Sequence, residues 1–185
     1  MTLADFLHRR WRLPTIALIH EQAGSRFVVL SRSLGVTPRA MQLNLLDLIE
    51  HGWIIPNPGY GHPLRPEYVI AESQTEIASA CLDVWTALIE ADLTELIKTK
   101  WDLPTLMVLA RLGTAARFGE IREELPTISE SGLSKSLRSL ENQRLVKRLV
   151  APTRPPTPTY QEDGLPHWVG QAVLTLEKCL GSNSH

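Results

Sequence analysis

Trp11-Arg12-Leu13-Pro14-Thr15-Ile16 returns as Trp101-Asp102-Leu103-Pro104-Thr105-Leu106, at an offset of 90 residues. Arg26-Phe27 returns as Arg117-Phe118, and Leu30 and Leu34 return as Ile121 and Leu125, at an offset of 91. Met41, Leu45 and Leu48 then match Leu133, Leu137 and Leu140, Trp53-Ile54 matches Leu145-Val146, and Tyr68 matches Tyr160, at an offset of 92. The offset steps only where turn residues interrupt the pattern. An ordered series of this kind reads as one small fold duplicated in tandem. The 185 residues divide into copies 1–92 and 93–185, each near the size at which a single core becomes adequate.

The second copy shows what the unit is. Pro104 stands where a helix begins, a position that tolerates its missing N–H. Leu103, Leu106, Met107, Leu109 and Ala110 give that helix an apolar face, ending near Gly113. Phe118, Ile121 and Leu125 mark a short helix stopped by Pro126, and Thr127 to Ser129 form a turn with Ser129 as N-cap. Leu133, Leu137 and Leu140, at i, i+4 and i+7, bury one face of a third helix. Leu145-Val146 and Leu149-Val150, the proline-rich stretch Ala151 to Pro158, and Thr159-Tyr160 read as strand, loop and strand. A last helix is expected from about Asp163 to Leu180. The first copy has the same order, with its third helix over 37–50 and strands near 53–56 and 66–71; a long helix from about Ser73 to Ile97 joins the copies. The pattern predicts a mainly α chain with small β wings, an α+β class, made of tandem winged helix-turn-helix domains.

Charge and composition narrow the function. No apolar run nears the roughly 20 residues of a membrane span, and Asp5, His8, Arg9 and Arg10 break the amino-terminal stretch, so neither membrane nor secretory signal is expected. Cys81 and Cys179 form no CxxC pair and read as packing residues. A cytoplasmic location follows as the expectation. The six histidines are scattered, with no metal-binding spacing, no phosphate loop and no acid–base pair, so no enzyme, metal or cofactor is expected. The five tryptophans are read first as core and interface residues, with an effector pocket between the copies as the alternative. The net charge of −1 does not announce a nucleic-acid binder, but its distribution is uneven. Residues 1–95 hold 7 Lys and Arg against 11 Asp and Glu, whereas residues 96–185 hold 12 against 9.

Trp101, Arg117-Phe118-Gly119-Glu120-Ile121, Leu125-Pro126-Thr127-Ile128-Ser129, Leu140-Glu141 and Arg144-Leu145-Val146-Lys147-Arg148 resemble the HxlR-type transcriptional regulators, a branch of the MarR-like winged helices. Pro155-Pro156 before Tyr160 resembles their wing, as do Pro63, Arg65, Glu67 and Tyr68 in the first copy. Members of that family are one-domain chains that dimerise through terminal helices and bind pseudo-palindromic DNA. The resemblance therefore implies a covalent pseudo-dimer. The cysteine that many members carry ahead of the first helix is missing, so thiol sensing is not implied. The wing arginine is present as Arg65 and replaced by Thr157 in the second copy.

In helix-turn-helix proteins the later helix enters the major groove. The candidates for double-stranded DNA contact in the second copy are Ser129, Ser131, Ser134, Lys135 and Arg138, with Arg144, Lys147, Arg148 and Arg154 around the wing. The competing reading is an ordinary solvated charged face. In the first copy Arg39, Gln42 and Asn44 are candidate base readers, with Arg65 reaching a minor groove. Leu43 and Leu46 stand where Lys135 and Arg138 stand in the second copy. That helix is apolar on more than one face, which predicts weak DNA binding or a surface covered by the second copy or by a protein partner. A protein-interaction scaffold is the alternative function, and further self-association stays open.

Overall fold

The computed structural model describes residues 1–7, 9–57, 66–150 and 157–182. After a short helix, α1 (Leu3–Leu7), one order of elements occurs twice. The first run is α2 (Arg12–Glu21), β1 (Ser25–Arg26), α3 (Phe27–Ser33), α4 (Pro38–Glu50), β2 (Ile54–Asn57), β3 (Glu67–Ile70) and α5 (Thr75–Glu90). The second is α6 (Asp102–Leu112), β4 (Ala116–Arg117), α7 (Phe118–Glu124), α8 (Glu130–Asn142), β5 (Val146–Val150), β6 (Pro158–Glu162) and α9 (His167–Ser182). The strands form two antiparallel three-stranded sheets, ordered β1-β3-β2 and β4-β6-β5. Register repeats with topology: Ser25 pairs with Tyr68, and Ala116 pairs with Tyr160. The chain is thus mainly helical with two small wing-like sheets.

Local chemistry explains the element ends. Thr37 Oγ1 accepts the Ala40 N–H at 3.4 Å, and Ser129 Oγ accepts the Gly132 N–H at 3.1 Å, so α4 and α8 both start on a hydroxyl cap. Both stop in the same way. At the end of α4, Gly52 is left-handed (φ 68°) and the Trp53 N–H reaches Leu48 O; at the end of α8, Arg144 is left-handed (φ 59°) and the Leu145 N–H reaches Leu140 O.

The expected helix from Ser73 to Ile97 is broken. Asp92 turns left-handed (φ 55°), and the Leu93 N–H bonds Leu88 O, which closes α5 before a 3-10 turn at Thr94–Ile97. α9 starts at His167 instead of Asp163, because the Asp163 N–H is paired with Leu145 O, Gly164 is at φ 110° and Pro166 precedes the first turn. The strands β1 and β4 and the helix α1 were not expected from the sequence.

One continuous apolar core runs through both halves and includes Phe6, Ile16, Met41, Leu48, Leu88, Leu106, Leu109 and Leu133. Each such side chain contributes roughly 1.5–3 kcal/mol by leaving water. α5 lies along α2 of its own half, and α9 lies along α5, which makes α5–α9 the main seam between halves. α1 crosses the seam to reach α6 and α9, whereas α9 touches α6 only slightly. The two closing helices are therefore not equivalent: α5 serves its own half and α9 serves the seam.

Candidate nucleic-acid interface

α8 is fixed from behind. Leu133, Leu137 and Leu140 are buried, and the buried Asp102 carboxylate at the start of α6 accepts the Ser139 hydroxyl at 2.6 Å. With that face anchored, Ser131, Ser134, Lys135 and Arg138 are exposed on the opposite one. Ser129 is exposed too, although its hydroxyl is committed to the helix cap.

Ser134 and Arg138 meet the sheet across a cleft of about 270 Å³, lined also by Phe118, Glu141, Arg148 and Tyr160. Helix α8 and strands β5 and β6 thus converge on one surface holding two guanidinium groups. Lys147 and Arg148 are successive residues of β5, so the pleat sends them to opposite faces. Arg148 shares the cleft with Arg138, and Lys147 is not among its lining residues. Arg144 is exposed at the left-handed turn between α8 and β5. Among the described residues, none of the ion pairs engages Lys135, Arg138, Arg144, Lys147 or Arg148. Among the described residues these five cations thus stand outside the ion pairs. Arg154 and Arg65 lie outside the described residues, as do Pro63 and Pro155-Pro156.

The first half places its candidates differently. Arg39 and Gln42 are exposed on α4. Asn44 is half-buried and faces inward, where its amide donates to Thr15 Oγ1 at 2.9 Å and to Trp11 O at 3.4 Å. It tethers α4 to α2 and stands apart from the exposed set. The signal was in the spacing: Asn44 lies three residues after Met41 and four before Leu48, both fully buried, on the core side of the helix. Leu43 is 51 % and Leu46 55 % exposed, so of the two covers expected for this helix, the second half or a protein partner, the second half is not one. Ile55, at the position of Lys147, is also exposed.

Sequence reasoning also missed the anchor of α4. Arg12, at the position of Asp102, is 3 % exposed and pairs with Asp47 at 2.9 Å. Arg9 lies 3.9 Å from the same carboxylate. The repeat carries a second pair in its entry segments: Arg10 stacks on Trp11 at 4.5 Å, and Lys100 stacks on Trp101 at 5.1 Å.

Other sites are chemically quiet. A cleft of about 210 Å³ lies between α1, α6 and α9, but its Arg111 is already paired with Glu124 and Glu177, and no tryptophan lines it. Trp53 packs on Phe6 in the core, and Trp168 is exposed. Both cysteines are free thiols. Burial pushes the Cys81 thiol far above its ordinary value, and desolvation with the neighbouring Glu76 raises Cys179, which disfavours thiolate chemistry at both. Among the described residues no group of His, Cys, Asp and Glu is arranged to hold a metal, and no helix is long and apolar enough to cross a membrane.

Residues 96–178 match the family described as HxlR-like helix-turn-helix, a family of regulators and not of enzymes. The match spans the second half, the half that carries the basic cleft. Three solved structures are similar to part of the chain. The reduced form of the transcriptional regulator YodB from B. subtilis is 26% identical with a TM-score of 0.37, over 50% of this chain and 84% of that one. The HTH-type regulator described as ytcD is 28% identical with a TM-score of 0.42, over 52% and 94%. A MarR-family regulator from Porphyromonas gingivalis W83 is 25% identical with a TM-score of 0.38, over 52% and 91%. No curated protein sequence matches the chain.

Proposed function

We propose that the chain is a DNA-binding transcriptional regulator made of two winged helix-turn-helix copies, residues 1–92 and 93–185, joined as a covalent pseudo-dimer. The second copy is the principal reader of double-stranded DNA. The observation that carries this reading is the exposed face of α8, where Ser131, Lys135 and Arg138 face outward and Arg138 shares a cleft with Arg148 of the wing. Hydroxyls and unpaired guanidinium groups suit phosphate oxygens and guanine edges. The repeated element order supports the duplication, and the α5–α9 seam supports the pseudo-dimer. A regulator of this kind works in the cytoplasm, with no cofactor.

The test is selection of the purified protein on a random duplex pool at two salt concentrations, with sequencing of the survivors. An enriched motif that disappears with Lys135→Ala and Arg138→Ala, together with a steep loss of affinity as salt rises, is the expected result. A second reading, a protein-interaction scaffold, is favoured by the exposed Leu43 and Leu46. Absence of any motif and of any salt-dependent retention would select the scaffold and reject the DNA reader.

A further inference from the structure

α4 carries an exposed stripe whose order is its own complement. Arg39, Leu43, Leu46 and Glu50 follow at i, i+4, i+7 and i+11, within about 60° of one helix face. Leu43 and Leu46 are more than half exposed, and Arg39 and Glu50 are exposed at the two ends. The stripe is symmetric about the point between Asn44 and Leu45. Both of those residues turn inward, Asn44 to Thr15 and Leu45 into the core, so nothing polar interrupts the two leucines. Among the described residues neither Arg39 nor Glu50 belongs to an ion pair, and the Arg39 guanidinium donates to Gln42 Oε1 at 3.5 Å.

We infer that α4 is a homodimer interface, and that its occupant is the α4 of a second copy of this chain, laid antiparallel across a two-fold axis. In that arrangement Leu43 meets Leu46 of the second copy and Leu46 meets its Leu43. The same rotation sets each Arg39 against the other chain's Glu50. A two-fold contact requires one patch to complement itself, and opposite charges at equal distances from an apolar centre meet that requirement. DNA does not suit this face, because its central side chains donate no hydrogen bond. A partner of a single charge sign does not suit it either, because the ends of the stripe are oppositely charged. The equivalent stripe on α8 reads Ser131, Lys135, Arg138 and Asn142, which has no apolar centre and no acidic end. The inference deepens the function proposed above, and its consequence for DNA rests on it: pairing through α4 puts two α8 faces on one two-fold assembly, which requires an inverted repeat in the target.

Sedimentation equilibrium of the full chain across the micromolar range tests the contact. The mass is expected to rise from 20.7 kDa toward twice that value. Leu43→Ser with Leu46→Ser is expected to raise the dissociation constant roughly a hundredfold, with an unchanged far-ultraviolet spectrum and melting temperature. Arg39→Glu alone and Glu50→Arg alone each place like charges together twice and are expected to be monomeric. An equimolar mixture of those two variants restores both opposite-charge contacts, and it is expected to dimerise. A monomer at every concentration, a dimer indifferent to the leucine variant, or a mixture that fails to associate would each overturn the inference. The charge variants keep the test open if the leucine variant does not fold. Monomers that still select a DNA motif would sink the interface and leave the function standing; dimers that retain no DNA would do the reverse.

Discussion

α4 and α8 are each 13 residues long, each is capped by a hydroxyl, and each ends on a left-handed residue. Their buried faces are alike, Met41, Leu45 and Leu48 in one and Leu133, Leu137 and Leu140 in the other. Their outer faces are opposite in character, leucines in one and cations in the other. The inner stripe decides where the helix packs, because moving it would expose apolar area worth several kcal/mol. The outer stripe is free of that requirement, so one scaffold can offer phosphate chemistry at one end and apolar contact at the other. The anchors differ too. α4 is held by the Arg12–Asp47 ion pair and the Asn44–Thr15 hydrogen bond; α8 is held by Ser139 on Asp102. At the positions matching Asn44 and Thr15, the buried hydroxyls of Ser136 and Thr105 have no partner among the described residues.

Substitutions at four places test how the two halves differ. Arg12→Met is expected to have the largest effect, about 3 kcal/mol in urea unfolding, because it strands Asp47 beside a nearly dry position. A loss below about 1 kcal/mol would mean that Arg9 and water replace the pair. Next comes the transfer of the α4 chemistry to α8. Lys135→Leu with Arg138→Leu is expected to weaken DNA binding roughly a hundredfold and to flatten the salt dependence by about two phosphate contacts. Wild-type affinity in that variant would show that α8 is not the reading helix. Third, Thr105→Val with Ser136→Ala removes two unpartnered hydroxyls and is expected to stabilise the fold by about 1 kcal/mol, while Thr15→Val, which orphans Asn44, costs about as much. Equal signs for the two variants, read by thermal melting, would erase that distinction between the halves. The smallest effect is expected from Arg144→Gly. The first copy has Gly52 at this left-handed position, so relief of backbone strain offsets the entropy of the added glycine, and stability rises by about 0.5 kcal/mol or less. DNA affinity should fall at the same time if Arg144 touches phosphate.

Much of this was readable from residue order. The i, i+4, i+7 apolar residues placed the third helix of each copy, Ser129 stood at a cap, and the spacing of Tyr68 and Tyr160 anticipated their equal register in the two sheets. What escaped was decided by few residues or by distant ones. β1 and β4 have two residues each, too short for any alternation to show. α5 stops at Asp92 because a non-glycine residue turns left-handed there, which no composition rule anticipates. Within the site, Asn44 was grouped with Gln42 by polarity although its spacing put it on the core side. Lys147 and Arg148 were grouped by charge although adjacent strand residues point apart. The lesson at both positions is that periodicity ranks above residue type in deciding what a side chain can reach.

The crossing of α1 onto α6 and α9 bears on how the chain is made. Leu3, Phe6 and Leu7 are made well before α9, yet the helix that carries them rests partly on α9. At about 5–20 residues per second, the apolar flank of α5 waits roughly 5–18 seconds for α9 to be completed. During that interval the nascent first half exposes an unfinished seam, a surface that a chaperone or a neighbouring nascent chain can occupy. A stop codon just before α9 would therefore do more harm than the loss of one surface helix, because α5 would keep an exposed apolar flank and α1 would lose one of its supports.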